Sequence, residues 1–237
     1  MIEKRKQGKS IAVKKQRFFG RRISRKLSNN KIILLKNSLP NYEITTRNIK
    51  SFLTNKKNRG NDVFWLEIGF GSGKHLINQA LKNPNIFFIG CDLYINGIVS
   101  LLNQILEKNI NNIAIFTEDA RELVNRFPKD LFSKVFILFP DPWPKKRHFK
   151  RRLINQEFLN SLSRAMEHDG ILHICSDVLS YVRWILYQIA KNSNFIWIVR
   201  RSNDWPKKLN NHVLTKYEQK AKDNSRVIFN LEFMSYK

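Results

Sequence analysis

From Val63 onward, short apolar runs alternate with longer stretches of helical period, and this alternation restricts the chain to one class of fold. Strands separated by helices cross over in parallel, so an α/β sheet with helices on its faces follows. The spacing predicts strands at 63–68, 86–91, 112–116, 134–139, 170–175, 195–200 and 226–235, with helices at 73–82, 94–108, 120–126, 151–167 and 177–191. No helical stretch long enough for a right-handed crossover separates the last two strands, which predicts an antiparallel final strand. In such a sheet, ligands bind at the C-terminal edge of the strands.

The first strand runs into Glu67-Ile68-Gly69-Phe70-Gly71-Ser72-Gly73, after which a helix opens. Alternate glycines allow a tight turn whose backbone approaches a ligand, and the helix N-terminus adds donors. Asp92 ends the next strand about 20 residues on, where a carboxylate can accept from both ribose hydroxyls of a nucleoside cofactor. The spacing is GxGxG rather than the GxGxxG of dinucleotide binders, and Glu67 would repel a pyrophosphate but attract an ammonium. Both features favour S-adenosylmethionine over NAD. Asp119, after the third strand, can accept from an adenine amino group or cap the following helix, and the two roles are compatible.

The stretch Phe139 to Arg152, FPDPWPKKRHFKRR, joins a carboxylate to a run of cations. Pro140, Pro142 and Pro144 forbid continuation of the strand before it, so Asp141 is expected in a stiff loop at a strand's C-terminal edge. Lys145, Lys146, Arg147, Lys150, Arg151 and Arg152 follow without an acid among them, which suits a surface presented to phosphates. A plain solvated basic loop is the alternative.

The chain carries a net charge of +24, and residues 1–42 hold thirteen Lys or Arg against Glu3 alone. Such an excess implies a polyanionic partner, nucleic acid before membrane. Residues 1–17 are too polar to offset their ordering entropy and read as a disordered tail, 18–60 as a basic arm and linker, and 61–237 as the main domain. Ile32 to Leu39, before Pro40, suggest a short helix or extended segment packed on that domain. Two cysteines, Cys91 and Cys175, are too few for a disulfide framework and fit a reducing cytoplasm. No apolar run approaches a membrane span. The acid-poor N-terminus is also compatible with an organellar transit peptide. The five histidines show no zinc-ligand spacing, so no metal is expected; His148 is a candidate to touch RNA, and the others read as surface or packing residues.

With Glu67 to Gly73, Asp92, Asp119, PDPWPKKRH-x-KRR and Thr215-Lys216-Tyr217-Glu218 in this order, the chain resembles the bacterial tRNA (guanine-N7)-methyltransferases over roughly residues 18–237. The resemblance implies a Rossmann-like, seven-stranded S-adenosylmethionine-dependent methyltransferase fold, and methylation of N7 of the variable-loop guanosine at tRNA position 46. It implies that Glu67, Asp92, Asp119 and Asp141 contact S-adenosylmethionine, with Gly69 and Gly71 in the same turn. Lys145, Asp177, Thr215, Lys216, Tyr217 and Glu218 would line the guanine site. Arg147, His148, Phe149, Lys150, Arg151 and Arg152 match the family's RNA-contacting segment. Phe149 stands where a second His is common, and Asp92 where Glu is common. Asp177 is alternatively a helix N-cap, and Glu218 a solvated helix residue.

Three other readings compete. Asp141-Pro142-Trp143 is similar to the loop of exocyclic-amine methyltransferases but lacks their second proline before the aromatic residue. A non-catalytic RNA-binding protein on the same fold and an NAD-dependent oxidoreductase are the others. Asp141 is the expected catalytic residue under the methyltransferase reading.

Overall fold

A computed structural model describes residues 20, 22–24, 26–57, 60, 62–199 and 216–237. The expectations for residues 1–17 and for Thr215 therefore lie outside the described residues.

The alternation produces the expected sheet, with one strand more than predicted. β1 (Glu43–Ile44) is followed by β2 (Phe64–Ile68), β3 (Phe87–Cys91), β4 (Ile113–Phe116), β5 (Phe132–Leu138), β6 (Met166–Ser176), β7 (Phe195–Trp197) and β8 (Phe229–Ser235). Their order across the sheet is β1-β4-β3-β2-β5-β6-β8-β7, parallel except for β8, which runs antiparallel between β6 and β7. The extra strand, β1, closes the edge beside β4, where the Thr117 hydroxyl donates to Glu43 Oε1 at 2.6 Å. Two residues carry too little periodicity to announce such a strand.

Side-chain alternation divides the core between the two faces of the sheet. Phe64, Leu66 and Ile68 of β2 face one way, into a cluster with Leu123 and Val124 of α5 (Ala120–Arg126), Phe158 and Leu162 of α6 (Gln156–Ala165), and Ile185 of α7 (Leu179–Ala190). Leu53 of α2 (Ile49–Lys57) joins the same cluster. On the other face, Phe88 and Ile115 pack with Leu76 of α3 (Lys74–Lys82) and Leu101 of α4 (Ile95–Glu107). Leu34, Leu35 and Leu39 of α1 (Asn29–Tyr42) cover that second cluster. The last helix is α8 (Lys216–Asp223).

Several boundaries depart from expectation. α1 continues through Pro40, at the loss of the hydrogen bond that an N–H there would make to the carbonyl of Lys36. The arm and linker expected at 18–60 contains a second helix, α2, which extends to Lys57. The predicted helix 151–167 is instead a 3₁₀ turn, Lys146–Arg151, followed by α6 and the start of β6. β6 begins early, at Met166; its register against β5 then jumps from Met166 to Ile171, with Asp169 at φ 63°. β7 stops at Trp197, short of the predicted 200.

Candidate active site

The glycine turn follows β2 directly. Gly69, Gly71 and Gly73 all have positive φ, at 76°, 57° and 79°, where side-chain-bearing residues are rare. An added Cβ would meet nothing within 4 Å at Gly69 or Gly71, so one side of the turn is open. The other side is packed: a Cβ on Gly97 of α4 would lie 2.0 Å from the Gly71 carbonyl oxygen. Helix α4 thus fixes the turn from behind and leaves its front free for a ligand.

Three carboxylates on the β4-β3-β2 side of the strand edge are held by protein donors. Asp92, after β3, accepts from Gly71 N at 2.7 Å through Oδ2 and from Tyr94 N at 2.9 Å through Oδ1. Burial pushes its carboxyl up from the ordinary aspartate value, with the backbone amides of Tyr94 and Gly71 opposing and the Glu67 charge adding a little. Asp119, after β4, caps α5 by accepting from Arg121 N at 3.0 Å, and also accepts from Arg121 Nε at 2.9 Å and Nη2 at 2.6 Å. The capping role read from sequence is therefore present, with an arginine fork added to it.

Glu67 lies on β2 facing α3, only 3% exposed, with Oε2 2.7 Å from His75 Nδ1. Gln79 Nε2 stands 3.3 Å from His75 Nε2. If the amide nitrogen donates there, His75 carries its proton on Nδ1 and donates it to Glu67. His75 is a partner that sequence reading assigned to surface or packing. Its signal was available: the first turn of a helix after a glycine turn folds back over the strand that led into it.

Asp141 sits beyond β5, exposed and with no hydrogen-bond partner among the described residues. Desolvation by the surrounding protein nevertheless raises its carboxyl above the ordinary value. Its loop is bracketed by two aromatic residues in the left-handed region, Phe139 at φ 52° and Trp143 at φ 42°. For bulky residues this conformation is strained and persists only where the surroundings enforce it. Phe139 N donates to the Cys175 carbonyl at 2.9 Å. The Trp143 indole is met edge-on by His148 at 5.7 Å and covered by the Arg151 guanidinium at 4.9 Å.

The basic stretch divides by exposure. Lys145, Lys146, Arg147 and Lys150 project to solvent, while His148, Phe149 and Arg151 are half-buried. Desolvation, then the charges of Arg151, Arg147, Lys145 and Lys150, pull the His148 imidazole below its ordinary value. Arg152 departs from the expected RNA-facing placement: it is 2% exposed and its Nε donates to the Pro142 carbonyl at 2.8 Å. A run of charges carries no phase, so sequence alone does not mark the member that turns inward.

Asp177 follows β6 and pairs with Arg226, 3.0 Å from Oδ2 to Nη1. It does not cap α7, whose N-cap residue is Val178; Val178 N instead donates to the Ser176 hydroxyl oxygen at 3.2 Å. Glu218 is buried in the first turn of α8, contrary to the solvated alternative, and its charge helps raise the Cys175 thiol, after desolvation. Lys216 begins that helix, with Tyr217 next to it. The structure thus aligns Glu67, Asp92, Asp119 and Asp141 along the ends of adjacent strands β4-β3-β2-β5, with Asp177 one strand further on. Among the described residues, no group of three His, Cys, Asp or Glu is arranged to hold a metal, and no helix is long and apolar enough to cross a membrane.

A family model described as "Putative methyltransferase" matches residues 61–231. A tRNA (guanine-N(7)-)-methyltransferase of Jannaschia sp. (strain CCS1) is 41% identical over 172 residues, covering 73% of this chain and 72% of the relative. One of Hyphomonas neptunium (strain ATCC 15444) is 38% identical over 204 residues, covering 86% and 93%. Among solved structures, an antibiotic-related methyltransferase superposes with a TM-score of 0.57 at 16% identity, covering 81% of this chain and 94% of the other. That last likeness concerns the fold alone.

Proposed function

The chain belongs to the tRNA (guanine-N7)-methyltransferase family, and we propose that its strand edge binds S-adenosylmethionine at the glycine turn and presents Asp141 to the N7 face of a tRNA guanosine, the variable-loop position 46. The observation that carries this reading is the contrast at the edge: among the described residues, Asp141 alone of its four carboxylates lacks a hydrogen-bond partner, and it adjoins exposed Lys145, Lys146, Arg147 and Lys150.

The residues fit the cofactor. Open space in front of Gly69 and Gly71 leaves room for it, Asp92 faces the turn, and Asp119 and Glu67 are fixed acceptors on either side. Bound S-adenosylmethionine would supply a methyl on a positively charged sulfur, and its transfer to guanine N7 leaves the positive charge on the purine. Guanine N7 offers an in-plane lone pair and no proton, so no general base is needed; alignment does most of the work. The Asp141 carboxylate favours the cationic product over neutral guanine, an electrostatic stabilisation that grows as the methyl moves. Asp177, Glu218 and Lys145 border the same side and are proposed to select guanine through its N1, N2 and O6 groups. Phosphates are proposed to meet the exposed cations, which makes tRNA affinity fall with salt.

Labelled methyl transfer from S-adenosylmethionine to bulk tRNA, followed by nucleoside analysis, tests the reading. Label is expected in 7-methylguanosine, with Asp141→Ala reducing turnover about 10²–10³-fold while cofactor binding persists. Because its pKa is raised, wild-type turnover should decline as pH falls through a value above that of an ordinary aspartate, and the variant should lose this limb. Near-normal turnover by the variant, or label in another nucleoside, refutes it.

A further inference from the structure

Arg152 is the last cation of the basic run and the only one of the six that is fully buried. Its guanidinium carbon stands 3.7 Å from the Phe149 ring centroid, 5.1 Å from Tyr181 and 5.0 Å from Trp184. Trp184 is itself fixed, donating Nε1–H to the Ile154 carbonyl at 2.7 Å. Three rings from two elements thus surround one cation, a setting that suits the weakly hydrated, planar guanidinium and not an ammonium. Among the described residues, no carboxylate pairs with it and its Nη2 has no hydrogen-bond partner. Such burial costs free energy, and the directed bond it makes in return is Nε–H to the Pro142 carbonyl.

That carbonyl belongs to the peptide joining Pro142 to Trp143, the residue after Asp141 and the residue held at φ 42°. A strained turn persists when its surroundings over-determine it. Arg152 fixes the turn's backbone, and its neighbour Arg151 covers the Trp143 ring. Resting on the reading of Asp141 above, we propose that Arg152 is a positioning residue for methyl transfer, which locks the Pro142–Trp143 turn and thereby Asp141, and does not bind RNA phosphate.

The two roles separate by experiment on the full chain. In Arg152→Lys, which keeps the charge but not the planar fork, single-turnover methylation of tRNA should fall about 10²-fold. Its tRNA affinity, and the slope of that affinity against salt, should match the wild type. The double variant Asp141→Ala/Arg152→Lys should be no slower than Asp141→Ala alone, because both act at one point. A salt slope shallower by about one unit, with weaker tRNA binding, would make Arg152 a phosphate contact and overturn the proposal. Additive losses in the double variant, or wild-type turnover in Arg152→Lys, would overturn it as well.

Should Arg152→Lys fail to fold, Phe149→Leu removes the closest ring without touching a charge. The same loss of turnover at unchanged salt slope is expected there, and normal turnover counts against the proposal. The 19F resonance of 5-fluorotryptophan at Trp143 reads the turn independently of chemistry. A resonance unchanged in both variants sinks the positioning role and leaves the reading of Asp141 standing, whereas an active Asp141→Ala sinks that reading and with it the role of Arg152 in transfer, even where the resonance shows the turn held.

Discussion

On the β4-β3-β2 side of the strand edge, Asp119, Asp92 and Glu67 each engage protein donors, whereas Asp141, one strand further on, engages none among the described residues. The glycines of the first side occupy positive φ without strain; on the second side, Phe139 and Trp143 occupy it at a cost of about 1–2 kcal/mol each. One half is therefore relaxed and bonded to its own neighbours, and the other holds a carboxylate without a partner among the described residues, in a conformation its neighbours must enforce. Changes to the first half should register in stability and cofactor affinity. Changes to the second should register in turnover.

The largest departure would come from Gly97→Ala. A Cβ 2.0 Å from the Gly71 oxygen forces the turn or the helix to move, which costs about 3 kcal/mol and outweighs the ~1 kcal/mol of helix propensity gained. Thermal unfolding and equilibrium dialysis with S-adenosylmethionine should show lower stability and weak binding together; unchanged binding would mean that the turn is not the receptor. His75→Ala comes next. It leaves buried Glu67 without its imidazole partner at 2.7 Å, a loss of about 2 kcal/mol readable as a lower Tm, with cofactor affinity reduced and recovered in part by His75→Gln. The smallest expected change in stability is from Trp143→Gly. Relief of about 1–2 kcal/mol of strain is offset by the lost Arg151 stacking and by glycine's added chain entropy, so Tm should hardly move while turnover falls. A large fall in Tm with normal turnover would erase the contrast between the halves.

The first half was legible because its information is local. Gly69 to Gly73, Asp92 and Asp119 each follow an apolar run directly, so strand assignment places them at one edge; the predicted helix 120–126 coincides with α5. The second half was legible in its components but not in their directions. Three prolines marked a loop at Asp141, yet the backbone signs at Phe139 and Trp143 and the 3₁₀ turn at Lys146–Arg151 leave no mark in the periodicity, and the inward turn of Arg152 depends on Tyr181 and Trp184, some 30 residues away in the chain. Likewise, the Asp177–Arg226 pair joins segments that no periodicity connects.

The placement of β8 between β6 and β7 sets an order of events during synthesis. β2 to β6 can pair as they emerge, but β7 has no neighbour in the sheet until β8 has been made and inserted beside it. Thirty-odd residues separate the two, a delay of about two to six seconds at the usual elongation rates of ~5–20 residues per second. Over that interval the nascent chain has its first half assembled while β6 still shows an open edge. Arg226, the partner of Asp177, arrives immediately ahead of the strand that closes it, so the β6 end of the strand edge is the last part that can form.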